Sequence, residues 1–313
     1  MRVVARAGNP DLATVYLADM GEERLVEFVE SVQPPWTRAQ KWVIIISTLV
    51  GCPVGCAICD AGGRYRGPLS CEEMLAQIAF LVDRDYPDGR VPVEKFKVQF
   101  ARMGEPAFNP AVLDALEALP GRWRAPGLLP SLSTIAPRGC DRFFVRLREL
   151  KTALYGGGRF QLQFSLHSSD PDQRDRLMPA PKWDFAQIAA YGERFVSPGD
   201  RRITLNIALA EDTVVEAPVL RRFFHPDLFL IKATPVNPTL GARRHGLRNG
   251  LPDTGTAPAC VDALRSAGYE VIVSIGELEE NRIGSNCGQF VRRFLEKGRA
   301  GETAAYTYGV EYL

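Results

Sequence analysis

Three cysteines, Cys52, Cys56 and Cys59, fall within eight residues of a 313-residue chain that holds seven cysteines in all. Thiolates placed that tightly are soft ligands, suited to an iron–sulfur cluster, zinc or copper(I). A structural zinc site wants a closed tetrahedral set, and no second Cys-x-x-Cys or His-x-His pair stands elsewhere in the sequence to complete one. A cubane cluster held by three cysteines instead leaves one iron open, and an open iron can chelate a molecule through its amino and carboxylate groups. The other cysteines, Cys71, Cys140, Cys260 and Cys287, are too few and too scattered for a disulfide framework, which points to a reducing compartment.

A second set of residues is spread along the chain. In Met103-Gly104-Glu105-Pro106 the glycine lets a ligand approach the backbone, and Glu105 can accept hydrogen bonds from an ammonium group. Ser133-Thr134, Ser165-Leu166-His167 and Asn237-Pro238 follow in that order. Each lies at the end of a strand-like run.

Those runs must position the chemistry. Trp42 to Ile46 is a continuous apolar stretch of the kind buried on both faces, and it leads into the cysteine loop. Ser70 and Glu73 then form a capping-box pattern that predicts a helix through Val82. Further strand-like runs cover 95–100, 129–135, 160–166, 203–209, 228–233 and 270–275, with helical patterns at 111–119, 143–150 and 185–195 between them. Strands alternating with helices imply a parallel sheet, because crossover helices join parallel neighbours. Six or so repeats predict an α/β fold, a partial (β/α)6-type barrel, with a doubly wound open sheet as the alternative. In either architecture ligands bind at the carboxyl ends of the strands, where the unusual residues sit. Two β-rich runs around Gly21 predict a short N-terminal β-hairpin extension over 1–36, leaving 37–313 for the barrel with a C-terminal strand and helix.

Composition narrows the function classes. With 46% hydrophobic residues the chain can bury a substantial core, and a net charge of +1 gives no global field that would mark a nucleic-acid binder. Arg221-Arg222 and Arg243-Arg244-His245 with Arg248 form the best basic patches, read as solvated surface charge. No signal-peptide run and no stretch of roughly 20 apolar residues is visible, so the protein is expected in the cytoplasm and off the membrane.

The Cys-x-x-x-Cys-x-x-Cys spacing after a first barrel-like strand resembles that of the radical S-adenosylmethionine (SAM) superfamily. The later series, including Arg174-Asp175 and Met178-Pro179, is similar to the RlmN/Cfr family of radical SAM methyltransferases acting on adenine in 23S rRNA and tRNA. The likeness spans roughly residues 15 to 295. It implies a [4Fe–4S] cluster on Cys52, Cys56 and Cys59, and SAM contacts from Gly104, Glu105, Ser133, Ser165, Leu166, His167 and Asn237. A reducing partner such as flavodoxin or ferredoxin would supply electrons. Asn286-Cys287-Gly288-Gln289-Phe290 looks like the family's segment whose cysteine takes a methyl group from SAM, and Glu27 loosely matches a hairpin glutamate that serves as proton acceptor.

The sequence departs from the family pattern in four places. Ile58 stands where an aromatic residue usually precedes the third cysteine. Ile45 stands where the family has a second cysteine that resolves the methylated one through a disulfide. The hairpin glutamate is several residues further from the cluster motif. With 51 residues before Cys52, the family's N-terminal RNA-gripping helical domain is expected to be missing. Together these imply methyl transfer to an unactivated carbon of a small-molecule, peptide or nucleotide substrate, with large RNA disfavoured. The alternative is direct hydrogen abstraction from such a substrate without methyl transfer.

Overall fold

The computed structural model describes residues 1–251, 258–276, 278–286, 290–295 and 308–313. Three N-terminal strands, Arg2–Asn9 (β1), Ala13–Asp19 (β2) and Leu25–Ser31 (β3), pair antiparallel in series, and β3 pairs antiparallel with Lys41–Ile46 (β4). The expected hairpin is therefore β2–β3, with β1 as an unanticipated third strand. It is continuous with the main sheet through β4.

Leu49–Cys52 (β5) and Gly63–Pro68 (β6) form a small antiparallel pair that brackets the cysteine loop. Cys71–Asp85 (α1) begins on the expected box: Glu73 N donates to Ser70 Oγ while Ser70 N donates to the Glu73 carboxylate. Six strands then run parallel, continuing from β4: Lys95–Phe100 (β7), Leu128–Thr134 (β8), Gln161–Ser165 (β9), Ile203–Leu209 (β10), Phe229–Pro235 (β11) and Val271–Val273 (β12). Between them lie Ala111–Arg122 (α2), Asp141–Leu154 (α3), Pro171–Leu177 (α4), Phe185–Phe195 (α5), Ala217–Phe223 (α6), Leu240–Arg244 (α7) and Ala259–Ser266 (α8). Leu278–Ile283 (α9), Phe290–Leu295 (α10) and the edge strand Glu311–Tyr312 (β13) follow.

The strand order, β12-β11-β10-β9-β8-β7-β4-β3-β2-β1-β13 among the described residues, decides between the two architectures. A doubly wound sheet reverses direction at a switch point, whereas here each new parallel strand adds on the same side of the last. Such a sheet places its helices on one face and curls. Lys41 of β4 and Lys232 of β11 would stand about 24 Å apart across five flat strand spacings, yet the Lys41 amine feels the charge of Lys232. The result is an open, partial barrel.

Alternation along each strand separates the layers. Trp42, Ile44 and Ile46 of β4 and Phe96, Val98 and Phe100 of β7 are fully buried on the helix-facing side. By register, Lys41, Val43 and Ile45 share the concave face with Lys95, Lys97 and Gln99, with Ser131 and Ser133 of β8, and with Gln161 and Gln163 of β9. Among the described residues no helix is long and apolar enough to cross a membrane.

Candidate active site

The loop after β7 is laced to the strand that feeds the cysteines. Thr48 N and Leu49 N both donate to Met103 O, at 2.8 and 3.1 Å. Gly104 has φ +102°, and a Cβ there would meet Leu49 Cβ and Cγ at 2.5 Å, so this position admits glycine alone without backbone movement. Its neighbour Glu105 is thereby turned inward and buried. One carboxylate oxygen accepts from Ala107 N and from Thr134 Oγ1, and the other accepts from Ile135 N at 2.9 Å. A carboxylate has about four acceptor sites. Three donors leave room for another, and burial without a cation pushes Glu105 up to about 7. An ammonium group is what this carboxylate lacks.

The cysteine loop closes beside it. Gly55, at φ +70°, lies so near Gly62 that a Cβ on the latter would stand 3.1 Å from Gly55 Cα. The Cys52 sulfur is approached by the backbone N–H groups of Val54, Gly55 and Glu105, and the Cys56 thiol feels that of Cys52. Cys59 Sγ accepts from Ala61 N at 3.4 Å. Burial pushes Cys52 up to about 11 and Cys56 up to about 12, so both are neutral thiols until a metal displaces their protons. Among the described residues no three Cys, His, Asp or Glu side chains converge closely enough to hold a metal ion as they stand. Three thiols, N–H donors aimed at Cys52 and Cys59 and no fourth protein ligand among the described residues fit a cluster with an open iron better than closed zinc.

The remaining candidates line the same rim. Ser133 accepts a 3.2 Å hydrogen bond from Gln163 Nε2, and Ser165 stands opposite Asn206 at the end of β9. Leu166 and His167 both donate their backbone N–H to Asn206 O. His167 sits at φ +61°, an uncommon conformation for a side-chain-bearing residue, of the kind that clusters at ligand sites. Its Nδ1 accepts from Ala208 N at 3.1 Å, which assigns the ring hydrogen to Nε2, and burial lowers its pKa to about 4. A neutral Nε2–H donor results. His167 faces a cavity of about 230 Å³ whose wall includes Ala57, Ile58, Ala208 and Val236. Asn237 Oδ1, after β11, is buried with no hydrogen-bond partner among the described residues.

Two expected residues remain, Glu27 and Cys287. Glu27 is fully buried, its Oε1 2.7 Å from Arg102 Nε and its Oε2 accepting from Val291 N at 2.9 Å. The Nε contact is a charge contact without hydrogen-bond alignment. Arg102 also donates to the carbonyls of Ser285 and Gly284, at 2.7 and 2.6 Å. Cys287 lies outside the described residues. The chain on either side of it is pinned to this one ion pair.

No family model matches the chain. A probable dual-specificity RNA methyltransferase RlmN from Desulfitobacterium hafniense (strain Y51) is 31% identical over 261 residues, covering 81% of this chain and 68% of that protein. The chain belongs to the RlmN-type radical SAM methyltransferases. A probable RNA methyltransferase from Ectopseudomonas mendocina is 30% identical over 285 residues, 89% of this chain and 75% of the relative. A radical SAM methyltransferase crystal structure from Sphaerobacter thermophilus superposes with a TM-score of 0.69 at 22% identity, over 92% of this chain and 80% of that one. That likeness carries the fold. The chain is thus a radical SAM enzyme of the methyltransferase class, whose family chemistry employs a [4Fe–4S] cluster and SAM.

Two features of this site escaped the sequence reading. Thr134, and not only Ser133, matters, because the pleat turns Ser133 to the concave face and Thr134 to Glu105. Asp60, next to Cys59, accepts from Leu240 N and Gly241 N at 3.0 and 2.7 Å, and Thr239 Oγ1 donates to Ile58 O, so the cysteine loop is tied to α7. An isolated aspartate gives no hint of that in sequence. Ile45 faces Val29 across β3–β4, while Cys71, Cys140 and Cys260 all lie on or beside helices.

Proposed function

We propose that Cys52, Cys56 and Cys59 hold the [4Fe–4S] cluster and that Glu105, Ser133, Ser165, His167 and Asn237 seat SAM. When bound, the cluster supplies the electron that cleaves SAM to methionine and a deoxyadenosyl radical. The protein's own contribution is positional. Glu105 accepts the methionyl ammonium, the backbone N–H groups around Cys52 favour its thiolate, and the neutral His167 Nε2–H donates into the cavity bounded by Ile58. The reading rests above all on Glu105, a buried carboxylate with three neutral donors and no cation.

The proposal extends to methyl transfer through Cys287 onto an unactivated carbon of a substrate smaller than ribosomal RNA. The Glu27–Arg102 pair supports it by fixing the chain on both sides of Cys287, a structural use that replaces the proton-acceptor role for Glu27, whose oxygens are enclosed. Ile45 in place of a resolving thiol supports a substrate and release route unlike those of the relatives. Anaerobic reconstitution with SAM carrying a labelled methyl group tests this. S-methylcysteine at position 287 is expected by mass spectrometry. Only free thiol at that position after deoxyadenosine has been released would leave direct hydrogen abstraction as the reaction.

A further inference from the structure

The concave face of the barrel carries an arrangement that the rim chemistry does not use. Lys41 of β4 and Lys95 of β7 stand directly opposite in the parallel register, and Lys97 follows Lys95 on the same face. Lys232 of β11 adds its charge, as does exposed Arg201, two residues before β10, whose Nε donates to Gly158 O at 2.7 Å. Like charges facing each other across a ladder destabilise it. No carboxylate among the described residues lies within ion-pairing distance of Lys41, Lys95 or Lys97, and the charges that act most strongly on these three amines are all positive. Crowding and burial lower Lys97 to about 7. A barrel interior that needs only to be filled uses branched apolar side chains. Here Val43, Ile45 and Leu129 share the lining with lysine, glutamine and serine, and Gln99, Gln161 and Gln163 on the same face are only partly buried.

We infer that this lumen is an anion site that seats the phosphate group of a small phosphorylated substrate about the size of a nucleotide. Three lysines with Arg201 match a dianion, for which lysine serves as a mobile point charge. Lys97 precedes the end of β7 by three residues, about 10 Å of strand. A phosphate there leaves the rest of a nucleotide-sized molecule at the rim, beside Glu105 and His167. The substrate assignment rests on the proposed radical SAM function, whereas the anion site itself does not.

The test uses the full chain, reconstituted anaerobically, in a low-salt buffer free of phosphate. Calorimetric titrations with inorganic phosphate, adenosine 5′-monophosphate and adenosine are compared. The nucleotide is expected to bind at least about 30-fold more tightly than adenosine, and Lys97→Met to weaken it about 10- to 100-fold, the scale of a hydrogen bond to a charged group. Lys41→Met should weaken it less. Melting curves of Lys97→Met and Lys97→Gln establish that each variant is folded. Inorganic phosphate binding without nucleotide binding would overturn the substrate assignment and leave a free-ion site. Equal binding of adenosine and its monophosphate, or unchanged affinity in folded Lys97 variants, would overturn the anion site. Deoxyadenosine release is measured in the same preparation, so loss of SAM cleavage with phosphate binding intact would count against the proposed function alone.

Discussion

Glu105 at the rim and Lys97 in the lumen are both driven toward neutrality at about 7, the carboxylate from below and the amine from above. The cause is shared: each is enclosed without an opposite charge. At Glu27 burial also raises the carboxylate's pKa, but there the chain supplies the opposite charge itself, with Arg102 and the two carbonyls it donates to closing the arrangement. Lys151, buried on Asp200 at 2.6 Å, is a second such case. Against those finished pairs, the unfinished rim and lumen read as places where a ligand supplies the missing charge.

The comparison breaks most visibly at the finished pair. Glu27→Leu takes the carboxylate away from buried Arg102, which costs about 3–5 kcal/mol. A large drop in melting temperature is expected, and an unchanged melt would show that the pair holds nothing together. Glu105→Gln should leave folding nearly intact, because the amide oxygen still accepts from the backbone, while SAM affinity falls about 10- to 100-fold. Equilibrium binding of labelled SAM measures it, and wild-type affinity would remove Glu105 from the site.

Lys97 gives a pH signature of definite sign. Its folded pKa lies below the ordinary 10.5, so the native state binds fewer protons than the unfolded chain between about 7 and 10.5. The stability it withholds at neutral pH is therefore recovered as pH rises through that window. The melting temperature of the anion-free protein should rise from about pH 7 to about pH 9, and Lys97→Met should flatten the slope. The smallest effect is expected at Thr134. Removing one neutral hydrogen bond to Glu105 with Thr134→Val costs about 1 kcal/mol, roughly a fivefold rise in the SAM dissociation constant.

Much of the fold was legible because the parallel strands are apolar runs whose ends carry glycine or polar residues. All seven appear within a residue or two of their expected limits, and α5 spans the predicted residues 185–195. β6, with the sequence Gly-Arg-Tyr-Arg-Gly-Pro, has no buried face and hence no hydrophobic period, and the seven-residue α4 hides because two of its buried residues, Gln173 and Arg174, are polar. β1 was missed because its arginines and Gly8 interrupt the alternation, though Ala5 and Ala7 are buried. The rim residues were legible one by one, as a motif series. The lysines were not, since Lys-Phe-Lys-Val-Gln-Phe reads simply as a strand with one wet face. Only curvature brings β4, β7 and β11 close enough for their charges to meet.

Asp60 has a consequence for biogenesis. Its hydrogen-bond partners, Leu240 and Gly241, lie 180 and 181 residues downstream. At about 5–20 residues per second, a ribosome needs roughly 10–35 s after Asp60 to synthesise them. Until then the cysteine loop lacks the helix against which it is shaped, and its thiols are presented to the cell on an unsupported nascent chain. The loop thus reaches its final shape only once α7 has been made, as a step that follows synthesis of the parallel strands through β11.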